Sequence, residues 1–493
     1  MFDPVSYAMG KAASGGGGDI TVEPLSVTEN GTTTAPSGKA YSPVTVNVPN
    51  SYAAGDEGKV VSNGELVAQT AHAEVTENGT IDTTLNNSVV VHVSGGGADE
   101  PILDPIKDVV FVDYDGEIVE QYTATEFAAL SALPANPTHS GLTAQGWNWT
   151  LADAQEYVAS YGALVIGQNY TTSDGKTRIY TTKTALTVGA ALCIGITTSV
   201  KNGVTIDWGD GTTKVTDANA STQKFYSHTY SAPGDHVVTL TATSGTYALG
   251  YNGVNSGIFY DNNNSMTSTV SANTVTAVEI GDNVTAIYRQ GFVNAPNLMT
   301  ISIPTSLTDI GQTTGNVFSG TRIKCVVFPN GTTQTYGSGA GSWKFVSFPK
   351  TMTYVGNLNS SGNLRAVTLP YGAVRAAQNI GGRSIEKVTV PGDYTVIGSS
   401  TTTYFVGATT LLKKLTISAS VTSVKEYALY NNKGLKELHM LPTTPPTLSA
   451  TYPFSGTPAT IYVPYSEDHS ILNAYKTATN WSTYSSRIQE EAQ

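Results

Sequence analysis

From residue 298 onward the apolar positions fall into a repeated phrase. An apolar residue is followed three and five positions later by two more, and then by a closing residue that is usually proline. The units are Leu298/Ile301/Ile303/Pro304, Ile323/Val326/Phe328/Pro329, Trp343/Val346/Phe348/Pro349, Leu364/Val367/Leu369/Pro370 and Ile385/Val388/Val390/Pro391. They continue as Leu412/Leu415/Ile417/Ser418 and, one residue out of step, Leu435/Leu438/Met440/Pro442, and a truncated unit ends at Ile461/Val463/Pro464. Successive closing positions lie 25, 20, 21, 21, 27, 24 and 22 residues apart. Two apolar residues at i and i+2 share one face of a strand, and the proline stops the strand and turns the chain. Further apolar residues recur three and six positions after the closing residue, as at Leu307/Ile310, Met352/Val355, Tyr394/Ile397 and Val421/Val424. A period of this size predicts a solenoid, in which stacked units supply the core that none could build alone. Such folds present long surfaces instead of deep pockets, which favours binding over chemistry.

Upstream the pattern is less regular. Residues 1–18 hold a short apolar segment with Phe2, Val5, Tyr7 and Met9, followed by the tether Gly15–Gly18. This is read as a docking segment on a flexible leash. Residues 19–97 hold two small β modules that share the string Val-Thr-Glu-Asn-Gly-Thr, at 27–32 and 75–80. Asn-Gly between alternating apolar residues predicts a tight hairpin, because both central positions need positive φ. Each module is too small for its own core, so packing on a neighbour or on another copy of the chain is expected, which leaves homo-oligomerisation open.

Residues 105–182 read as a small α+β element. A hairpin is expected around Asp115-Gly116, and short helices over 123–134 (with Thr123 and Glu126 as a capping pair) and 148–162 (Thr150 as N-cap, Gly162 at its end). A second hairpin is expected over residues 166–182. Residues 183–245 read as a β-sandwich and residues 246–274 as an irregular bridge. The solenoid then spans 275–464, and residues 465–493 form a helical cap in which Leu472, Tyr475 and Trp481 cover the last rung. The expected fold class is therefore mainly β.

At 493 residues the chain is too long for one ordinary core. Only 13% of residues are charged, while glycine (49) and tyrosine (27) are abundant, a make-up typical of turn-rich β proteins. The net charge of −12, without a Lys/Arg cluster, argues against nucleic acid and anionic membranes as partners. The N-terminus lacks the basic and apolar regions of a signal peptide, and no apolar run is long enough to span a membrane. Cys193 and Cys325 lie in apolar β-like runs and are read as free buried thiols.

Catalytic and cofactor signatures fail in turn. Gly175-Lys176-Thr177 has Tyr170 where a phosphate-binding loop needs its first glycine. Asp113-Tyr114-Asp115-Gly116 begins like a calcium loop, but Ile118 and Ala124 replace the required glycine and glutamate, so a turn is expected. Asp207 and Asp210 are read as turn residues, and His228 as satisfying a backbone group. No catalytic, cofactor-binding or metal residues are assigned, the chain is expected not to be an enzyme, and the ligand-binding residues are not identifiable. The tyrosines, threonines and asparagines of the bridge and solenoid fit recognition of a carbohydrate or protein surface.

Three resemblances sharpen this picture. Trp208-Gly209-Asp210-Gly211 with the later His228-Thr229-Tyr230 resembles the hallmarks of polycystic-kidney-disease (PKD) type immunoglobulin-like domains, which implies a spacer module. The repeats resemble the BspA-like leucine-rich repeat family, although its usual cysteine is missing and Ala373 and Ala376 stand where large residues are expected. The whole arrangement resembles modular structural proteins of phages and prophages of gut Gram-positive bacteria. That resemblance implies a virion-surface fibre of tail, baseplate or head. Its N-terminus would dock on other virion proteins, and its solenoid would bind a host cell-surface glycan or protein. A bacterial cell-surface adhesin and a glycan depolymerase are the alternatives.

Overall fold

In the computed structural model, residues 1–104 are described only as six backbone strands. Of residues 105–493 the structure describes all but 183–190, 217–223, 233, 251–256, 261–269, 289, 312–316, 336–341, 356–357, 359–362, 370–379, 381–383, 392–393, 399–404, 407–408, 451–452 and 493. The chain divides into two compact units, Met1–Asp104 and Pro105–Gln493.

In the first unit, Val27–Glu29 and Thr32–Thr34 pair antiparallel around Asn30-Gly31, with Glu29 opposite Thr32. Asp19–Val22 pairs with Val44–Asn47, and Lys59–Ser62 with Glu65–Ala68. In sequence, Asn63-Gly64 stands between the last two strands and is a further instance of the same two-residue signal. The docking residues Phe2, Val5, Tyr7 and Met9, and the second Val-Thr-Glu-Asn-Gly-Thr module, lie outside the described residues.

In the second unit, the apolar residues of all seven complete repeats are buried, as are those three and six positions after the closing residue. The first set forms parallel strands with Val326 opposite Val346, Val367 opposite Val388, Leu415 opposite Leu438, and Leu438 opposite Ile461. The second set forms short parallel strands on the opposite wall, such as Gln334–Thr335 beside Tyr354–Val355 and Ser423–Val424 beside Thr447–Leu448. The expected looser packing around Ala373 and Ala376 falls outside the described residues.

The sandwich runs into the solenoid without a break in either sheet. One sheet orders Thr213–Val215, Val204–Asp207, Val237–Ala242, Thr177–Thr181, Val275–Glu279 and Thr300–Ser302. Its pairing is antiparallel as far as Val275–Glu279 and parallel beyond. The other wall contains Ala191–Thr198, Tyr247–Leu249, Val284–Ile287 and Asp309–Ile310. A single apolar core extends from Ile179 to Ile488, so the sandwich closes the N-terminal end of the stack that would otherwise expose its first rung. Residues 246–274 include two of these strands' neighbours, Tyr247–Leu249 and Phe259–Tyr260, and the short helix Val270–Thr274.

At the other end, the helix Ser470–Thr477 and the turn Trp481–Arg487 cover the last rung. Tyr475 and Trp481 are buried, Leu472 is partly so, and their polar tips bond to Pro442 O and Pro446 O at 2.8 and 2.7 Å. The chain then adds a last parallel strand, Ile488–Glu490, with Ile488 opposite Ile461, which the repeat pattern did not foretell.

The α+β element is a four-stranded sheet ordered Ile118–Tyr122, Val109–Val112, Leu164–Thr172, Leu142–Trp147. Thr123 and Glu126 form the expected capping box, but that helix is only Ala124–Ala128, and residues 129–141 continue without regular structure. The helix Leu151–Tyr161 starts on Thr150 and ends on left-handed Gly162. The hairpin expected over 166–182 does not form. Leu164–Thr172 stays in the α+β sheet, while Thr177–Thr181 crosses to pair with Val237–Ala242 and Val275–Glu279. The physical reason is burial: Thr177 and Ile179 are fully enclosed in the larger core, and both flanks of their strand find a ladder there. Gly175-Lys176 lies in the turn that makes this crossing, with Arg178 and Lys176 both paired to Asp174.

Candidate interaction surface

Each repeat strand has an inward face, fixed by the repeated apolar residues, and an outward face. In Cys325–Val327, Phe345–Ser347 and Ala366–Thr368 every residue is buried, so both faces are covered. The cover is the α+β element. Ile106, Val110, Val112 and Val165 pack on the outward Cys325, Val327, Phe345 and Ala366. The sheets approach so closely that a Cβ on Gly167 would lie 2.5 and 2.6 Å from the Val327 methyls and 2.9 Å from Ser347 Cβ. Cys325 is thus a free thiol sealed between two sheets, and burial, with Asp113 and Asp115 adding, pushes its pKa well up. Cys193 is buried elsewhere and forms no disulfide.

The closing prolines explain the polar half of this contact. In a parallel ladder a carbonyl accepts from the residue one beyond its opposite number on the next strand. With Phe328 aligned to Phe348, the partner of the Phe328 carbonyl would be the nitrogen of Pro349, which carries no hydrogen. Every proline-closed rung therefore strands the carbonyl before the proline of the preceding rung. The α+β element supplies the missing donors in rung order. Asn169 Nδ2 donates to Ile303 O at 3.0 Å, Asn148 Nδ2 to Phe328 O at 2.9 Å, Trp149 Nε1 to Phe348 O at 2.8 Å and Tyr157 OH to Leu369 O at 2.6 Å. At the margin, Lys387 pairs with Asp108 at 2.8 Å and Lys350 with Asp153 at 2.5 Å. Glu386 binds Arg365 through one oxygen, at 2.6 Å, and the Ile106 amide through the other, at 2.8 Å.

The ladder of side-chain donors stops where the closing residue changes. Beyond the sixth repeat, which closes in Ser418, backbone amides answer two such carbonyls: the seventh repeat is one residue out of step, so Leu441 N donates to Ile417 O at 2.9 Å, and Glu491 N donates to Val463 O at 2.9 Å. Here the strands Lys414–Ile417, Glu437–Met440 and Thr460–Val463 show strict alternation, with only the repeat-face residues buried. The outward residues are Lys414, Thr416, Glu437, His439, Thr460 and Tyr462, with Gln489 on the last strand. This is the open part of the sheet and the candidate site. His439 stacks on Tyr462 at 4.8 Å with an interplanar angle of 16°, and its two nitrogens face Glu491 and Glu437 at 2.5 and 3.1 Å. Lys414 reaches Glu437 at 3.9 Å. The carboxylates approach opposite sides of the imidazole and do not converge on a point where an ion could sit. Among the described residues no group of three His, Cys, Asp or Glu side chains suits a metal.

The other sequence candidates sit elsewhere and are structural. Asp113 is buried and pairs with His139 at 2.7 Å. Asp207 and Asp210 hold turn amides, Gly209 N and Thr212 N, at 2.9 and 3.0 Å. His228 hydrogen-bonds with the Asp210 carboxylate at 2.6 Å and stacks on Trp208, so a carboxylate takes the place of the expected backbone partner. Tyr247, one of the bridge tyrosines read from sequence as surface residues, belongs to the core. No described helix is long and apolar enough to cross a membrane.

The six outward residues were missed in the sequence, yet a signal for them exists. Outward positions read Cys/Val, Phe/Ser and Ala/Thr under the cover and Lys/Thr, Glu/His and Thr/Tyr beyond it.

Residues 265–380 and 338–456 match the profile of the BspA type leucine rich repeat region, in six copies. The solenoid of this chain is thus a BspA-type leucine-rich repeat region. Similar solved structures include a leucine-rich repeat protein from Bacteroides ovatus, 17% identical, covering 43% of this chain and 67% of that one with a TM-score of 0.26. Another is a leucine-rich repeat protein from Eubacterium ventriosum, also 17% identical, covering 46% and 75% with a TM-score of 0.24. No curated protein matches the chain significantly.

Proposed function

We propose that this leucine-rich repeat chain is an adhesion protein without catalytic activity, and that it binds through the outward face of its last repeats. The observation that carries this reading is the change in burial along one sheet. Strands under the α+β element are enclosed on both faces, whereas Lys414–Ile417, Glu437–Met440 and Thr460–Val463 present polar and aromatic groups on a flat, open face. Such a face suits a glycan or a protein surface, since hydroxyl, amide and carboxylate groups read polar edges while Tyr462 and His439 add apolar contact. A shallow face desolvates little, so single-site affinity is weak and clustering supplies avidity of about 10²–10⁴.

The finer reading places the chain on a virion, attached through Phe2, Val5, Tyr7 and Met9 to other virion proteins. It is supported by the order of modules, a short apolar segment and glycine tether at one end and the open repeat face at the other. A bacterial surface adhesin is the alternative. Retention of the clustered full chain on host and non-host cells tests adhesion. Thr416→Arg with Thr460→Arg should abolish retention on host cells, while Lys350→Ala, at the edge of the covered half, should not. Equal retention on both cell types, or none when clustered, would defeat adhesion. Immunogold labelling of particles separates virion from cell surface.

A further inference from the structure

His439 holds both ring nitrogens against carboxylate oxygens, Nδ1 at 2.5 Å from Glu491 Oε1 and Nε2 at 3.1 Å from Glu437 Oε2. A neutral imidazole carries one N–H, so with two ionised carboxylates one of these contacts would set lone pair against lone pair. Only the imidazolium donates to both. The histidine side chain is 12% exposed and its ring lies against Tyr462, while the carboxylates of Glu437 and Glu491 are 47% and 32% exposed. The charged groups facing it are Glu437 on its own strand, Glu491 after the terminal strand and, beyond Glu437, Lys414 from the preceding rung.

Glu491 is where this matters mechanically. It directly follows the terminal strand Ile488–Glu490, whose outer edge is unpaired, and its amide bonds to Val463 O. One further side-chain pair holds the same strand, His469 Nδ1 to Glu490 Oε2 at 2.6 Å.

We propose that His439 is a proton-operated clamp. In its cationic form it ties the terminal strand to the repeat sheet; on losing its proton it keeps one carboxylate, releases the other, and the strand frays from its open edge. The sign follows from the donor count: the clamp is closed on the acid side and opens as pH rises. Its consequence for adhesion rests on the reading of this face as the binding surface, but the clamp itself is measurable without a ligand.

Hydrogen exchange of the full chain, followed by mass spectrometry at about pH 5.5 and about pH 8.5, tests it. Exchange of residues 488–491 is taken relative to Lys414–Ile417 in the same molecule, which removes the intrinsic pH dependence. The expected result is a loss of relative protection of about tenfold on raising the pH, absent in His439→Gln, which keeps one donor and one acceptor. The same pH step in wild type and His439→Gln overturns the proposal. So does a step that vanishes only in His469→Gln, which would assign the clamp to the other pair. Should His439→Gln not fold, nitrogen chemical shifts of the wild-type imidazole decide. Protons on both nitrogens at about pH 6 are expected, and a neutral tautomer there overturns the clamp.

Discussion

The indole Nε1 of Trp149 donates to the carbonyl of Phe348 at 2.8 Å, across 199 residues of chain. Phe348 precedes a proline, and the rung above it also closes in proline, so no backbone amide can take that role. Trp149→Phe keeps the ring volume and removes the donor. A buried carbonyl left alone costs about 1–3 kcal/mol, and the midpoint of denaturant unfolding should fall accordingly. An unchanged midpoint would mean that water replaces the indole.

Gly167 has ordinary backbone geometry, so its requirement is spatial. In Gly167→Ala the new methyl must displace the side chains of Val327 and Ser347. Overpacking of this kind costs about 1–3 kcal/mol. The loss should appear as faster hydrogen exchange of Val109–Val112 and Leu164–Thr172, with Lys414–Ile417 unaffected. Uniform change throughout would show that the two sheets are not separately sensitive.

Val388 lies inside the stack opposite Val367 and is 8% exposed. Val388→Asp places an unpaired carboxylate between rungs, at a cost of several kcal/mol. Because each rung stabilises its neighbours, the melting transition should shift down and broaden. A wild-type melting curve would show that this register is wrong.

Asp210 links the sandwich to pH. Partial burial alone would raise its pKa, but hydrogen bonds from Thr212 and His228 override this and hold it at about 2, below its ordinary 3.8. A depressed carboxyl contributes stability that is present above its unfolded value and lost as pH falls through the folded one. Thermal stability should therefore drop as pH falls from about 4 to about 2, and Asp210→Asn should flatten that part of the profile. Parallel profiles for both proteins would remove Asp210 from the account of acid unfolding.

How much was legible depends on the range of the interactions. Repeat register, the Thr150 cap, the left-handed Gly162 and the Asn-Gly hairpin at Asn30-Gly31 follow from neighbours within a few positions. The failed hairpin over 166–182 shows the limit of that reasoning. Ser173–Lys176 is a sound local turn, yet Thr177–Thr181 leaves for a sheet whose other strands begin at residues 204, 213, 237, 275 and 300. His228 failed for the same reason, since Asp210 lies 18 residues away, in a turn of one sheet, and becomes its partner only when that turn meets a strand of the other sheet.

The sequence by itself determined the solenoid, because inward burial repeats every 20 to 27 residues and each rung needs only its neighbour. It also determined where carbonyls would be stranded, since a closing proline deletes a ladder donor wherever it stands. Only the tertiary structure decided which groups would answer. Asn148, Trp149 and Tyr157 follow the order of Phe328, Phe348 and Leu369, but Asn169, which answers Ile303, comes last in sequence, and all four meet those carbonyls because one sheet docks on another. That docking encloses the repeat strands as far as Ala366–Thr368 and leaves the outward face of Lys414–Ile417, Glu437–Met440 and Thr460–Val463 open.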